Sequence, residues 1–111
     1  MTFLALGYLR TDVSQLRRQW DEAQIRRLAR RLGYTLGTTV TLGDPPGDPT
    51  RQLMNVVTAV GADAVAVPSA DHFESGAIPA GLVAVTDVIT VAPEHTYARW
   101  ATGELPQAGG M

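Results

Sequence analysis

The stretch "FLALGYL", Phe3 to Leu9, is a continuous apolar run rather than an alternation of apolar and polar residues. Such a run is typical of a strand that is buried on both faces of a sheet. The segment from Val13 to Leu32 has apolar residues at helical spacing and predicts a long helix. We expect Thr11 or Asp12 to cap the start of this helix and Gly33 to end it.

The rest of the chain repeats this alternation of strands and helices. Three later stretches predict further strands, and they are Thr35–Leu42, Ala62–Ser69 and Val88–Pro93. A short helix is predicted over Arg51–Gly61, with Thr50 as its cap and Gly61 at its end, and "GDPPGDPT" (Gly43–Thr50) predicts a loop. The pattern favours an α/β fold of three layers, with a mostly parallel sheet of about four strands, Phe3–Leu9 as the central strand, and helices on both faces.

Composition limits the chemistry that the chain can support. Its 111 residues are enough for one domain, predicted over 1–105 with a flexible tail at 106–111. The chain has no cysteine and two histidines, so thiol chemistry is excluded, and we predict neither a metal nor a cofactor. A net charge of -2 gives no basic field for nucleic acid. No stretch is typical of a signal peptide or a membrane span, and the expected location is cytoplasmic.

Candidate functional residues follow the predicted strands, where parallel sheets gather their sites. After the first strand, Arg10 and the hydroxyls of Thr11 and Ser14 fit either a nucleophile turn or a capped helix with Arg10 in an ion pair. After the third strand, Asp71 and His72 fit either an acid–base pair or a polar capped loop.

Arginines also cluster on the predicted first helix. The pairs Arg26 with Arg30 and Arg27 with Arg31 are four residues apart. They fit either a phosphate-binding patch or cations that the helix dipole stabilises near the C-terminus.

The segments, taken in order, resemble the N-terminal catalytic domain of serine recombinases, the resolvase/invertase family. That family begins with a strand reading roughly G-Y-x-R-V-S, whose serine attacks the DNA phosphodiester. The corresponding stretch here is Gly7-Tyr8-Leu9-Arg10-Thr11-Asp12, in which Asp12 stands at the serine position. By this resemblance the nucleophile has been lost.

Later motifs extend the resemblance over about residues 3 to 105. "ADAVAVPSADHFES" (Ala62–Ser75) is similar to the family's D-x-V-x-V strand followed by L-D-R-L-x-R. Asp71 matches, whereas His72 and Ser75 stand where the family has arginines. Further similar segments are Gln19 with "LGY" (Leu32–Tyr34), "TRQLMNVV" (Thr50–Val57) with Arg51, and "VITVAPEHTYARWATGEL" (Val88–Leu105).

The resemblance implies a stand-alone, catalytically inactive domain with a vestigial site of Arg10, Asp12, Arg51, Asp71 and His72. We expect it to act through protein contacts, as a homo-oligomer or with another protein, or as an accessory to DNA transactions. DNA binding is expected to be weak and non-specific at most, and no membrane is expected to be involved.

Two alternatives remain open. One is an active recombinase-type enzyme that uses Thr11 or Ser14. The other is a domain that binds a small anionic ligand in the cleft at the strand ends. We also predict that Arg10 lies near Asp71 and pairs with a carboxylate, since a lone buried guanidinium would be costly.

Overall fold

The computed structural model describes residues 3–42 and 48–99. Its five strands are β1 (Phe3–Arg10), β2 (Tyr34–Leu42), β3 (Ala64–Val67), β4 (Asp87–Thr90) and β5 (His95–Tyr97). Its four α-helices are α1 (Thr11–Ser14), α2 (Arg18–Arg31), α3 (Pro49–Val60) and α4 (Ala80–Val83). Short 3₁₀ turns lie at Gln15–Arg17, Ala70–His72 and Glu74–Gly76.

The strands form one sheet in the order β2-β1-β3-β4-β5. The first four in this order run parallel, and β5 pairs antiparallel to β4. The predicted α/β class with a mostly parallel sheet is therefore confirmed, with β1 inside the sheet and β3 in the middle. The fifth strand was not predicted, because "HTY" is short, polar and mostly exposed and so lacks an apolar run.

Helices cover both faces of the sheet, which accounts for the continuous apolar run in β1. Successive side chains of a strand point to opposite faces. Ala5 packs in a cluster with Leu28 of α2, whereas Leu6 packs in a larger cluster with Leu53 of α3. Leu82 of α4 belongs to the larger cluster as well. Both faces of β1 are therefore core.

Gly7 allows α2 to approach the sheet closely. A Cβ atom at this position would lie 2.6 Å from Thr39 Oγ1 on β2 and 3.2 Å from Ile25 Cγ2 on α2. The first of these distances is shorter than real Cβ contacts allow, so a larger residue would force the Thr39 side chain to move and would crowd Ile25.

The predicted continuous helix over Val13–Leu32 is wrong, because the chain breaks at Gln15. This residue has φ 51° and ψ -123°, a backbone conformation that side chains other than glycine rarely adopt. The break divides the segment into α1, a 3₁₀ turn and α2. Gly33, with φ 87°, follows the end of α2 as predicted.

The predicted caps at the helix starts are also wrong. The residue before α1 is Arg10, and no side chain caps this helix, since the Asp12 carboxylate bonds to Arg10 instead. At α3 the cap is Asp48 rather than Thr50: Asp48 Oδ1 accepts a hydrogen bond from the Arg51 backbone N–H at 3.2 Å.

The remaining predictions have mixed outcomes. Gly61 ends α3 with φ 67°, as predicted. The helix begins at Pro49, so the last two residues of the predicted loop are helical. The start of that loop, 43–47, and the predicted tail, 106–111, lie outside the described residues. Among the helices of the described ranges, none has the length and apolar character that crossing a membrane requires.

Candidate functional site

A cleft of about 350 Å³ opens at the carboxyl edge of the sheet, beside the ends of β3 and β4. On one side it is lined by residues of α1 and α2, including Ser14, Trp20 and Asp21. On the other side lie the residues that follow β3, including Ser69, Asp71 and His72. This is the edge at which parallel α/β sheets place their functional groups.

Arg10, the last residue of β1, pairs with Asp12 in the first turn of α1. Its Nε lies 3.1 Å from Asp12 Oδ1, and its Nη2 lies 2.6 Å from Asp12 Oδ2. The prediction that Arg10 pairs with a carboxylate is confirmed, with Asp12 as a partner, whereas its proximity to Asp71 stays a prediction. The side chains are 20% and 39% exposed, so solvent screens the pair and we expect it to contribute at most about 1 kcal/mol to stability.

His72 connects the turn after β3 to the end of β1. Its side chain is buried, and its Nδ1 accepts a hydrogen bond from the Arg10 backbone N–H at 3.0 Å. An accepting Nδ1 carries no proton, so the neutral ring holds its proton on Nε2. Burial lowers the pKa of His72, and the charges of Asp21 and Asp71 oppose this effect in part.

This geometry supports the structural interpretation of the Asp71–His72 pair. Asp71 is exposed, and its backbone N–H donates to Ser69 Oγ at 3.3 Å as part of the turn. The Nδ1 of His72 is already engaged by backbone. The two residues therefore behave as a capped turn that holds β1 and β3 in register at the rim of the cleft.

The lowered pKa of His72 predicts that acid destabilises the fold as the pH falls below the reference pKa of 6.5. The folded state binds the His72 proton less tightly than the unfolded chain does, for which the reference pKa is 6.5. The contribution of neutral His72 to the stability of the fold is therefore fully present above pH 6.5. It is lost as the pH falls from there toward the folded-state pKa of His72.

Urea unfolding at a series of pH values tests this expectation. His72→Asn offers an oxygen near the Nδ1 position but does not titrate, so its stability should depend less on pH. His95→Asn, at an exposed histidine on β5, should keep the wild-type dependence. Equal pH dependence in wild type and His72→Asn would contradict the assignment.

Ser14 and Asp21 form a buried hydrogen bond that joins α1 to α2. Ser14 Oγ donates to Asp21 Oδ2 at 2.6 Å, and the two residues are 4% and 6% exposed. Arg17 Nη2 lies 4.0 Å from the other carboxylate oxygen. A hydroxyl that donates to a carboxylate is also the arrangement of an activated nucleophile. Here, however, the Ser14 hydroxyl is buried and has little access to a large substrate.

Asp21 was not among the predicted site residues. It lies seven positions after Ser14, a spacing that brings two side chains together only because the helix breaks at Gln15. In an unbroken helix, the same spacing separates two residues by about two turns. No local pattern in the sequence indicates this contact.

The structure brings some of the predicted residues together and separates others. Arg10, Asp12 and His72 meet at the end of β1, with Asp71 lining the cleft beside them. Arg51 lies exposed in the first turn of α3 and is not among the residues that line the cleft. Over residues 3–42 and 48–99, no cluster of three or more histidine or acidic side chains could hold a metal ion.

Comparisons with known proteins agree with the fold. Neither a scan against models of protein families nor a search of curated proteins finds a match. Among solved structures, the chain is similar to the N-terminal catalytic domain of TP901-1 integrase, with a TM-score of 0.64 and 16% sequence identity. The match covers 90% of this chain and 85% of that one. The sheet and its helices therefore have the same fold as that catalytic domain.

Proposed function

We propose that this chain is a serine-recombinase-like domain that does not transfer DNA strands and acts through protein contacts. The absence of strand transfer is supported by the Arg10–Asp12 ion pair. In the resemblance described above, Asp12 stands where the family has its nucleophilic serine. A carboxylate is a poor nucleophile toward a phosphodiester because both are negatively charged, and here it also binds the arginine nearest to it.

The surrounding charges support the same conclusion. Asp21 and Asp71 both line the cleft, and Arg17 is the cation that faces it. Arg17 already lies near Asp21 and above the Trp20 ring, 4.8 Å from the ring centre. The cleft is therefore unfavourable for DNA and equally for the small anion considered as an alternative ligand.

Trapping of a covalent adduct tests the absence of strand transfer. The protein is incubated with a pool of randomised duplexes, intact and nicked, and then separated under denaturing conditions. We expect no protein-linked DNA, while an active serine recombinase on its own recombination site provides the positive control. A phosphoserine or phosphothreonine link to DNA would contradict the proposal, and Thr11→Ala and Ser14→Ala would show which hydroxyl formed it.

Protein contact is supported by three exposed apolar side chains between Val13 and Trp20, and these two residues line the cleft. Val13, Leu16 and Trp20 are 37%, 103% and 54% exposed. Leu16 directly follows Gln15, whose backbone has the rare φ of 51°. Both features are typical of interaction sites, since strain and exposed apolar groups are otherwise disfavoured.

A second copy of this chain is the partner that we propose for this surface. Apolar side chains on two copies can cover each other around a two-fold axis. The nearby charges do not oppose this, because Arg17 faces Asp21 and Arg18 bonds Glu22 at 3.0 Å within each copy. Like charges would therefore contribute little repulsion across such an interface.

Sedimentation equilibrium from low-micromolar to near-millimolar concentration tests this association. We expect the mass to rise with concentration for the wild-type protein and to rise much less for Leu16→Ser. The control is Val60→Ser, which removes an apolar side chain exposed to a similar degree as Trp20 but on α3. A wild-type protein that stays monomeric at every concentration would refute this surface as the contact. So would an equal loss of association in Leu16→Ser and Val60→Ser.

A further inference from the structure

A second cleft, of about 390 Å³, lies between α2 and the edge strand β2. Arg26 and Arg30 line it from the helix, and Tyr34, Leu36, Gly37 and Thr39 line it from the strand. No carboxylate is among these residues. By contrast, the cleft at the strand ends contains Asp21 and Asp71, and two smaller ones contain Glu94 or the pair Asp63 and Asp87. Of these four clefts, it is therefore the one whose lining has two arginines and no carboxylate.

Arg26 and Arg30 have no counter-charge among the described residues, a feature that they share with Arg27 on the same helix. Arg17, Arg18 and Arg31 each lie within ion-pair distance of a carboxylate, which belongs to Asp21, Glu22 and Glu94 respectively. Arg26 and Arg30 form neither an ion pair nor a side-chain hydrogen bond with any residue of the described ranges 3–42 and 48–99. Being one helical turn apart, they place two like charges side by side.

The helix dipole does not account for this arrangement by itself. Its stabilisation of cations is confined to about the last turn of a helix. Arg30 lies within that turn of α2, whereas Arg26 lies five residues before the end at Arg31. A bound anion would neutralise both charges at once.

We propose that this cleft binds the phosphate group of a small phosphorylated ligand. The guanidinium groups of Arg26 and Arg30 can each donate two parallel hydrogen bonds to phosphate oxygens. The outer edge of β2 adds backbone N–H groups that no strand within residues 3–42 and 48–99 pairs. The volume suits a small ligand, and a chain with a net charge of -2 has no net basic field that would favour a nucleic-acid backbone.

Titration with inorganic phosphate, followed by amide NMR spectra at constant ionic strength, tests the proposal. The amide signals of Gly37 and Thr39 should shift and saturate in the wild-type protein. In the double variant Arg26→Gln/Arg30→Gln, we expect the affinity to fall by about tenfold or more. Arg27→Gln is the matched control, since Arg27 is exposed on the same helix and has no ion-pair partner in the described residues but lines a different cleft. It should keep wild-type affinity.

The other outcomes are equally informative. Equal affinity in the double variant and in Arg27→Gln would overturn the site, and so would phosphate-induced shifts confined to residues around Ser69 at the strand ends. If short duplex DNA shifts the Gly37 and Thr39 signals and inorganic phosphate does not, the small-ligand assignment is wrong. Circular dichroism of the double variant should match the wild type, because both arginines are exposed. Arg26→Lys/Arg30→Lys keeps both charges but loses the forked geometry of the guanidinium groups. Its affinity for phosphate should lie between those of the wild type and of Arg26→Gln/Arg30→Gln.

Discussion

Replacing Phe73 by alanine is expected to lower the free energy of unfolding by about 3–5 kcal/mol, the usual loss for a buried phenylalanine. Phe73 is 2% exposed, and its ring stacks on that of Tyr8, with the ring centres 5.3 Å apart. It directly follows His72, so its ring holds the turn after β3 against the end of β1. The same substitution should therefore also weaken the hydrogen bond between His72 and the Arg10 backbone.

Urea or thermal unfolding measures this loss, and the chain provides a matched control. Phe3 also lies on the sheet and contacts an aromatic ring, that of Tyr34 at 6.4 Å between ring centres, but it is 52% exposed. Phe3→Ala should cost less than about 1 kcal/mol, because much of its apolar area is already in water. Similar losses in the two variants would show that the Tyr8–Phe73 stack does not anchor this end of the sheet.

Replacing Ser14 by alanine is expected to cost about 1.5–3 kcal/mol, the range for hydrogen bonds to charged groups. The variant leaves the buried Asp21 carboxylate without the hydroxyl that bonds it at 2.6 Å. Asp21→Asn keeps an oxygen that can accept this bond while removing the charge, so we expect it to cost less. Since the two residues contact each other, the double variant should cost less than the sum of the single ones.

The control for this pair is an ion pair on the surface of the same helix. Glu22 accepts from Arg18 at 3.0 Å, and the Arg18 side chain is 52% exposed. Glu22→Ala should change stability by no more than about 0.5 kcal/mol. If Ser14→Ala costs no more than Glu22→Ala, the Ser14–Asp21 bond does not hold α1 against α2.

The fold itself was predictable because the apolar runs and glycines that specify its strands and helix ends are visible within short segments of the sequence. Strands covered on both faces need continuous apolar residues, and Phe3–Leu9 and the core of Ala62–Ser69 have them. Glycine at positions 33 and 61 was recognised as a helix end, and both residues adopt the positive φ that disfavours other residues. The polar strand β5 has no apolar run that would predict it, because it forms by pairing with β4.

The sequence by itself therefore determined the layered α/β architecture and the edge of the sheet at which Arg10, Asp71 and His72 lie. Only the tertiary structure decided how those residues are used. The break at Gln15 places Ser14 within hydrogen-bond distance of Asp21. The turn after β3 packs against β1, and this packing places the His72 ring within hydrogen-bond distance of the Arg10 backbone. These contacts join residues 7 and 62 positions apart, respectively. Hydropathy and propensity report what each segment buries, but they do not report which polar groups packing then brings within hydrogen-bond distance.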